Sequence, residues 1–297
     1  MRLDQNPDSE DGNRVGIAER SMAGSTPEAL PESIVDVSVE GISMPVHVEV
    51  HGPLDGSRIL VLHGWGASTE HMRGLISHLK PDHRVAAVEF PGHGRSPAPA
   101  HGYGMEGHLD VVDAVLEHLG WSVFSVIGHS NGGRAAISWA ATRAGNRRVT
   151  SMTLIAPSGI RGRRTAAYYV RSWTARILKA PFQVLPGPIR RAGLDWLRHS
   201  FFWRMLGSSD YRSLEGPMRE TFVRTVNHYV SDLLPDVPCP VLLIRGDADH
   251  AITHEQLATM QAGLTDAGLY TIPNAGHFVQ EERPDVIAEA VRTLISK

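Results

Sequence analysis

Residues 124–133 read Phe124-Ser125-Val126-Ile127-Gly128-His129-Ser130-Asn131-Gly132-Gly133, an apolar stretch that runs into a serine flanked by glycines. The chemistry this spacing offers is nucleophilic. G-x-S-x-G sets a serine on a strained strand-to-helix turn and lifts its hydroxyl above a sheet edge, while Gly128 and Gly132 leave room for backbone to pass. The surroundings agree: residues 124–127 have the pattern of a strand buried on both faces, and residues 135–141 form a strong helix former.

A serine hydroxyl needs a base, and the base needs an acid to orient it. His277 lies in Asn274-Ala275-Gly276-His277-Phe278 after the apolar Leu269-Tyr270-Thr271-Ile272. Asp249 lies in Gly246-Asp247-Ala248-Asp249 after Val241-Leu242-Leu243-Ile244. Each therefore stands just beyond a strand, and in an open parallel sheet the carboxyl ends of strands share one rim where such residues converge. Asp247 is within one turn of Asp249 and competes with it for the role of the acid.

The elements that must position these groups alternate. Strands are expected over 34–39, 45–50, 58–62, 85–90, 124–127, 151–156, 241–244 and 269–272, and helices over 70–79, 106–119, 133–144, 254–262 and 284–296. The first two strands form an antiparallel hairpin at the edge, and the later alternation of strand and helix argues for a mostly parallel sheet. Between 158 and 232 the alternation breaks into successive helical stretches, with Pro181, Pro186, Pro188 and Pro217 as breakers.

On these motifs the chain resembles the α/β-hydrolase superfamily across residues 34 to 297, with the order Ser, Asp, His that this superfamily uses. Leu62-His63-Gly64-Trp65-Gly66 resembles its His-Gly oxyanion loop, and Phe90-Pro91-Gly92-His93-Gly94-Arg95-Ser96 resembles the loop after the next strand. The resemblance implies an eight-stranded, mostly parallel α/β sheet with helices on both faces and a helical cap. It makes Ser130 the nucleophile, His277 the base and then the acid, and Asp249 the group that holds the imidazole tautomer. The backbone N–H groups of Trp65 and Asn131 would form the oxyanion hole. A serine at 130, where dehalogenase and epoxide-hydrolase relatives carry aspartate, rules out their alkyl-ester mechanism.

The expected organisation is a disordered acidic tail over 1–33, a core over 34–157 and 233–297, and a cap over 158–232. Seven acidic and three basic residues with little apolar content make up the tail, and Met22 is an alternative start. The cap segment holds 13 of the 29 Lys and Arg residues against 5 acidic ones, and 11 of the 19 aromatics. Most of these side chains serve the cap's own core and solvated face, and a sharper reading has one or two cap arginines binding a substrate carboxylate.

With 42% hydrophobic and 21% charged residues the composition is that of an ordinary globular protein. The single Cys239 reads as an inert packed thiol in a reducing, cytoplasmic setting. Neither a membrane span nor a signal peptide is expected. His129 reads as packing and His63 as a brace for the oxyanion loop. His93, His101 and His108 lack metal-ligand spacing, so no metal is expected. Nor do phosphate-binding loops or a nucleic-acid reader appear, so no cofactor and no nucleic-acid partner are expected. The reading is a serine hydrolase acting on a small ester or similar acyl compound. The alternatives are a carbon–carbon bond hydrolase of ring-fission dienoates and a non-catalytic or single-turnover ligand receptor on the same scaffold. An aminopeptidase would need acidic groups in the cap, and the basic surplus argues against it.

Overall fold

The computed structural model describes residues 32–162, 189 and 214–296. Eight strands form one sheet: β1 (Glu32–Val39), β2 (Ile42–His51), β3 (Ser57–Leu62), β4 (His83–Val88), β5 (Val123–His129), β6 (Arg148–Ile155), β7 (Val241–Gly246) and β8 (Ala267–Ile272). Their spatial order is β1-β2-β4-β3-β5-β6-β7-β8. The pairings β1–β2 and β2–β4 are antiparallel, and all others are parallel. Chain order departs in opposite directions from β3, toward β4 on one side and β5 on the other. The crevice at the carboxyl ends of β3 and β5 is therefore the switch point where open α/β sheets bind ligands.

Helices cover both faces, which is why the central strands can be continuous apolar runs. Side chains alternate with the pleat. Leu60, Leu62, Val126, Leu154 and Leu243 enter one core with α2 (Met105–Leu119) and α3 (Asn131–Thr142). Ile59, Val61, Ile127, Ile155 and Ile244 enter the other, with α1 (Arg73–Leu79) and α7 (Pro284–Ile295). Between them in sequence lie α4 (Gly216–Val226), α5 (His254–Gly263) and α6 (Val279–Glu282).

The expected elements are present, with shifted ends. The first strand starts at Glu32 rather than at 34, because Glu32 pairs in register with Glu49 and its carboxylate reaches Arg95. Residues 69–72 form a 3-10 turn ahead of α1, so the helix expected over 70–79 is divided. The short α6 directly after His277 was not expected; its four residues are too few to show a period. The expected tail over 1–33 falls outside the described residues except for its last two, and so does the cap over 163–188 and 190–213. Among the described residues no helix is long and apolar enough to cross a membrane.

Candidate active site

Ser130 closes β5 and caps α3 with φ 48° and ψ −109°, a left-handed conformation that a side chain adopts only under constraint. The constraint is visible in the backbone. Ser130 donates its N–H to the Ile155 carbonyl at 2.9 Å, and its own carbonyl accepts from Arg134 and Ser158 at 3.2 and 3.0 Å. The turn is pressed against β3: a Cβ on Gly132 would lie 2.1 Å from the Leu62 carbonyl oxygen. The Ser130 hydroxyl does not cap α3, and it makes no hydrogen bond among the described residues.

The loop after β3 passes beside the serine. A Cβ on Gly64 would stand 3.2 Å from that of Ser130 and 2.7 Å from His129 Nδ1, so only glycine fits there. His63 Nδ1–H donates to the Gly64 carbonyl at 2.7 Å, and its Nε2 accepts from Phe90 N–H at 3.0 Å. This ties the ends of β3 and β4 together, the bracing role expected of it. The Trp65 ring is held edge-on by His93 and Phe222 at 4.9 and 5.1 Å between centroids. Asn131 is the first residue of α3, where backbone N–H groups have no intrahelical partner.

His277 Nδ1 and Asp249 Oδ2 are 2.9 Å apart. Asp249 is buried, and its other oxygen accepts from Ala251 and Ile252 N–H at 2.7 and 3.0 Å. Burial alone would push this carboxyl up, but the hydrogen bonds from His277, Ile252 and Ala251 outweigh it and hold it below its ordinary value. Asp247 is exposed, so of the two candidate acids Asp249 is the one brought to His277. Arg245 Nη2 donates to the Asp247 and Asp249 carbonyls and steadies that loop. A Cβ on Gly246 would lie 2.0 Å from the Ala275 carbonyl oxygen, which shows how closely the loops after β7 and β8 meet.

These groups share a cavity of about 540 Å³, with Trp65, Ser130, Asn131 and His277 in its wall. Arg134, Phe222, Thr225, Ile252 and Phe278 complete much of that wall and were not singled out from the sequence. His108, weighed from the sequence only as a metal ligand, is buried on α2, and its Nε2 takes a hydrogen bond at 3.3 Å from the Asn131 amide. A histidine in the apolar stripe of Met105, Leu109 and Val112 was the available signal. His129 is buried, as expected, yet it also lines the cavity, and its Nε2–H donates to the His277 carbonyl at 3.1 Å.

Cys239 is buried, and burial pushes its thiol up to about 12, which leaves it a poor nucleophile. His47, Glu49 and Glu89 bring metal-ligand atoms within 4.8 Å of one another. Their carboxylates are engaged by Thr69 and Arg95, and none of the three lines the cavity. This group is a buried polar network between β2 and the loop after β4.

Burial holds His63 well below its ordinary value and takes His108 and His129 down to about 3. Unfolded, each titrates near 6.5. Below that pH the unfolded chain binds protons that the native state refuses, so stability is complete above about 6.5 and falls toward 3. Each such histidine contributes a limiting slope of about 1.4 kcal/mol per pH unit. The urea midpoint is expected to drop clearly between pH 7 and pH 5 at constant ionic strength. A level midpoint over that range would contradict the neutral, buried state of these rings.

The sequence profile of the alpha/beta hydrolase fold matches residues 57–284. A serine hydrolase-like protein of Danio rerio is 40% identical over 90 residues, an alignment that spans 30% of this chain and 28% of that protein. A longer match, 24% identical over 270 residues, covers 87% of this chain and 94% of a 2-(acetamidomethylene)succinate hydrolase of Mesorhizobium japonicum. Among solved structures, an esterase of Rhodococcus sp. ECU1013 superposes with a TM-score of 0.66 at 24% identity, over 90% of this chain and 99% of the esterase.

Proposed function

We propose, from the premise that the chain belongs to the alpha/beta hydrolase family, that it is a serine hydrolase cleaving a carboxylic ester or similar acyl bond. Ser130, His277 and Asp249 are its catalytic groups. The supporting observation is the 2.9 Å bond between His277 Nδ1 and Asp249, with His277 and Ser130 in the wall of one cavity. With Nδ1–H given to Asp249, the lone pair of Nε2 is left to act as base.

The reaction runs in two halves. His277 Nε2 takes the Ser130 proton as Oγ attacks the substrate carbonyl, and the oxyanion that forms is stabilised by the N–H groups of Trp65 and Asn131. The tetrahedral intermediate collapses, His277 protonates the leaving oxygen, and the acyl group stays on Ser130. Water, deprotonated by the same nitrogen, then attacks the acyl enzyme and releases the acid. Residues 158–232 act as the cap of this site, a role supported by Phe222 and Thr225 in the cavity wall.

The test is covalent labelling. A fluorophosphonate probe on the intact chain is expected to add one mass increment, located on Ser130, and an activated ester is expected to block the labelling. Folded protein that takes up no probe at Ser130 would move the assignment to a ligand receptor on the same scaffold.

A further inference from the structure

Arg134 lies on the first turn of α3, four residues beyond Ser130, and lines the same cavity. It is only 6% exposed. Nη1 donates to the Thr225 carbonyl on α4, while Nε is buried with no partner. No described carboxylate pairs with it. Three other arginines differ: Arg143 is met by Glu106, Asp110 and Asp113, Arg147 by Asp113, and Arg224 by Glu40. Burial pushes the Arg134 guanidinium down to about 10, whereas the acidic ring around Arg143 raises that group.

A buried cation without a counter-ion is a folding cost, and a guanidinium with five donors is poorly served by one backbone carbonyl. An apolar side chain would fill the same place in α3 at less cost, among Ala135, Ala136 and Ile137. Stability does not account for the charge. The acid nearest the chemistry, Asp249, is already committed to His277, Ala251 and Ile252. What the site lacks is a negative charge delivered from the cavity.

We propose that Arg134 is a specificity-determining residue that pairs with a carboxylate on the substrate, so that the acyl compounds cleaved at Ser130 are anionic ones. The inference rests on the serine-hydrolase reading and adds the substrate class to it. A planar guanidinium matches a carboxylate through two parallel N–H bonds, and no described carboxylate lines the cavity wall. Ser130 and Arg134 stand about one helical turn apart along the chain and line the same cavity, so one small acyl compound can meet both.

The experiment compares p-nitrophenyl hemisuccinate and hemiglutarate with p-nitrophenyl butyrate on the full chain, in wild type, Arg134→Met and Arg134→Lys. The ratio of kcat/KM for the hemiesters to that for butyrate is expected to fall about 100-fold in Arg134→Met and less in Arg134→Lys. An unchanged ratio overturns the proposal. Succinate is also expected to inhibit butyrate turnover competitively in wild type, a result that needs no variant to fold. Should no ester be turned over, the hydrolase reading fails while Arg134 remains testable by calorimetry. Succinate binding lost in Arg134→Met supports the subsite, and equal binding to wild type and Arg134→Met overturns it. Inorganic phosphate that binds as well as succinate overturns the assignment to a carboxylate.

Discussion

Ser130→Ala is expected to lower kcat for an activated ester by about 10⁴-fold or more, with the circular dichroism spectrum and the thermal midpoint retained. The expectation rests on the serine's isolation from structural duty. Its backbone N–H and carbonyl hold the turn through Ile155, Arg134 and Ser158, and all of these bonds survive the substitution. Its hydroxyl caps nothing. Ser130→Gly is the sharper variant. At φ 48° and ψ −109° a side chain is strained by about 1–3 kcal/mol, and glycine relieves much of that. The glycine variant should therefore be as inactive as alanine yet unfold at a higher urea concentration. A variant that keeps more than about a hundredth of wild-type kcat would remove Ser130 from the mechanism.

The centre of the sheet was legible because its strands are buried on both faces. Runs such as Ile59-Leu60-Val61-Leu62 and Val241-Leu242-Leu243-Ile244 need no alternation to be recognised once helices are known to follow them. The hairpin of β1 and β2 was legible for the opposite reason, since one face of β1 is exposed and its sequence alternates. Ser130 and Asp249 stood out because each follows such a strand in a glycine-bearing turn, and His277 because it follows the half-exposed edge strand β8 in another. Pairing across the fold was harder to read. Asn131 meets His108 from another helix, and Arg134 meets Thr225 across 91 residues. Nothing in local spacing reports such meetings. A faint signal existed in each case: a histidine inside the apolar stripe of α2, and an arginine inside the small, apolar run Gly133-Arg134-Ala135-Ala136-Ile137. Charge on a face that packing would leave neutral marks a functional side chain more sharply than an exposed cluster does. The basic surplus of 158–232 points to a carboxylate at the cap, most of which lies outside the described residues, and the buried Arg134 guanidinium, which no described carboxylate meets, adds a cation on the core helix that follows the serine.

Asp249→Asn is the second large effect, expected to lower kcat about 10⁴-fold with little change in KM. Volume and burial are conserved, so the loss has to come from hydrogen-bond direction. In the wild type one carboxylate oxygen accepts from both Ala251 and Ile252 N–H, and the other faces His277 Nδ1. An asparagine must keep its oxygen toward the two backbone donors, because its amide NH₂ there would leave three donors facing one another. The NH₂ is then turned to His277, whose Nδ1 can only accept from it. The imidazole proton moves to Nε2, the nitrogen that should take the serine proton, and the base is lost with its ring still in place. Asp247→Asn, at an exposed position two residues earlier, is expected to leave kcat within about twofold of wild type. Equal losses in the two variants would mean that the loop, and not the tautomer, sets the rate. ¹⁵N chemical shifts of the His277 ring distinguish the cases, because in Asp249→Asn they should report protonation at Nε2 in place of Nδ1.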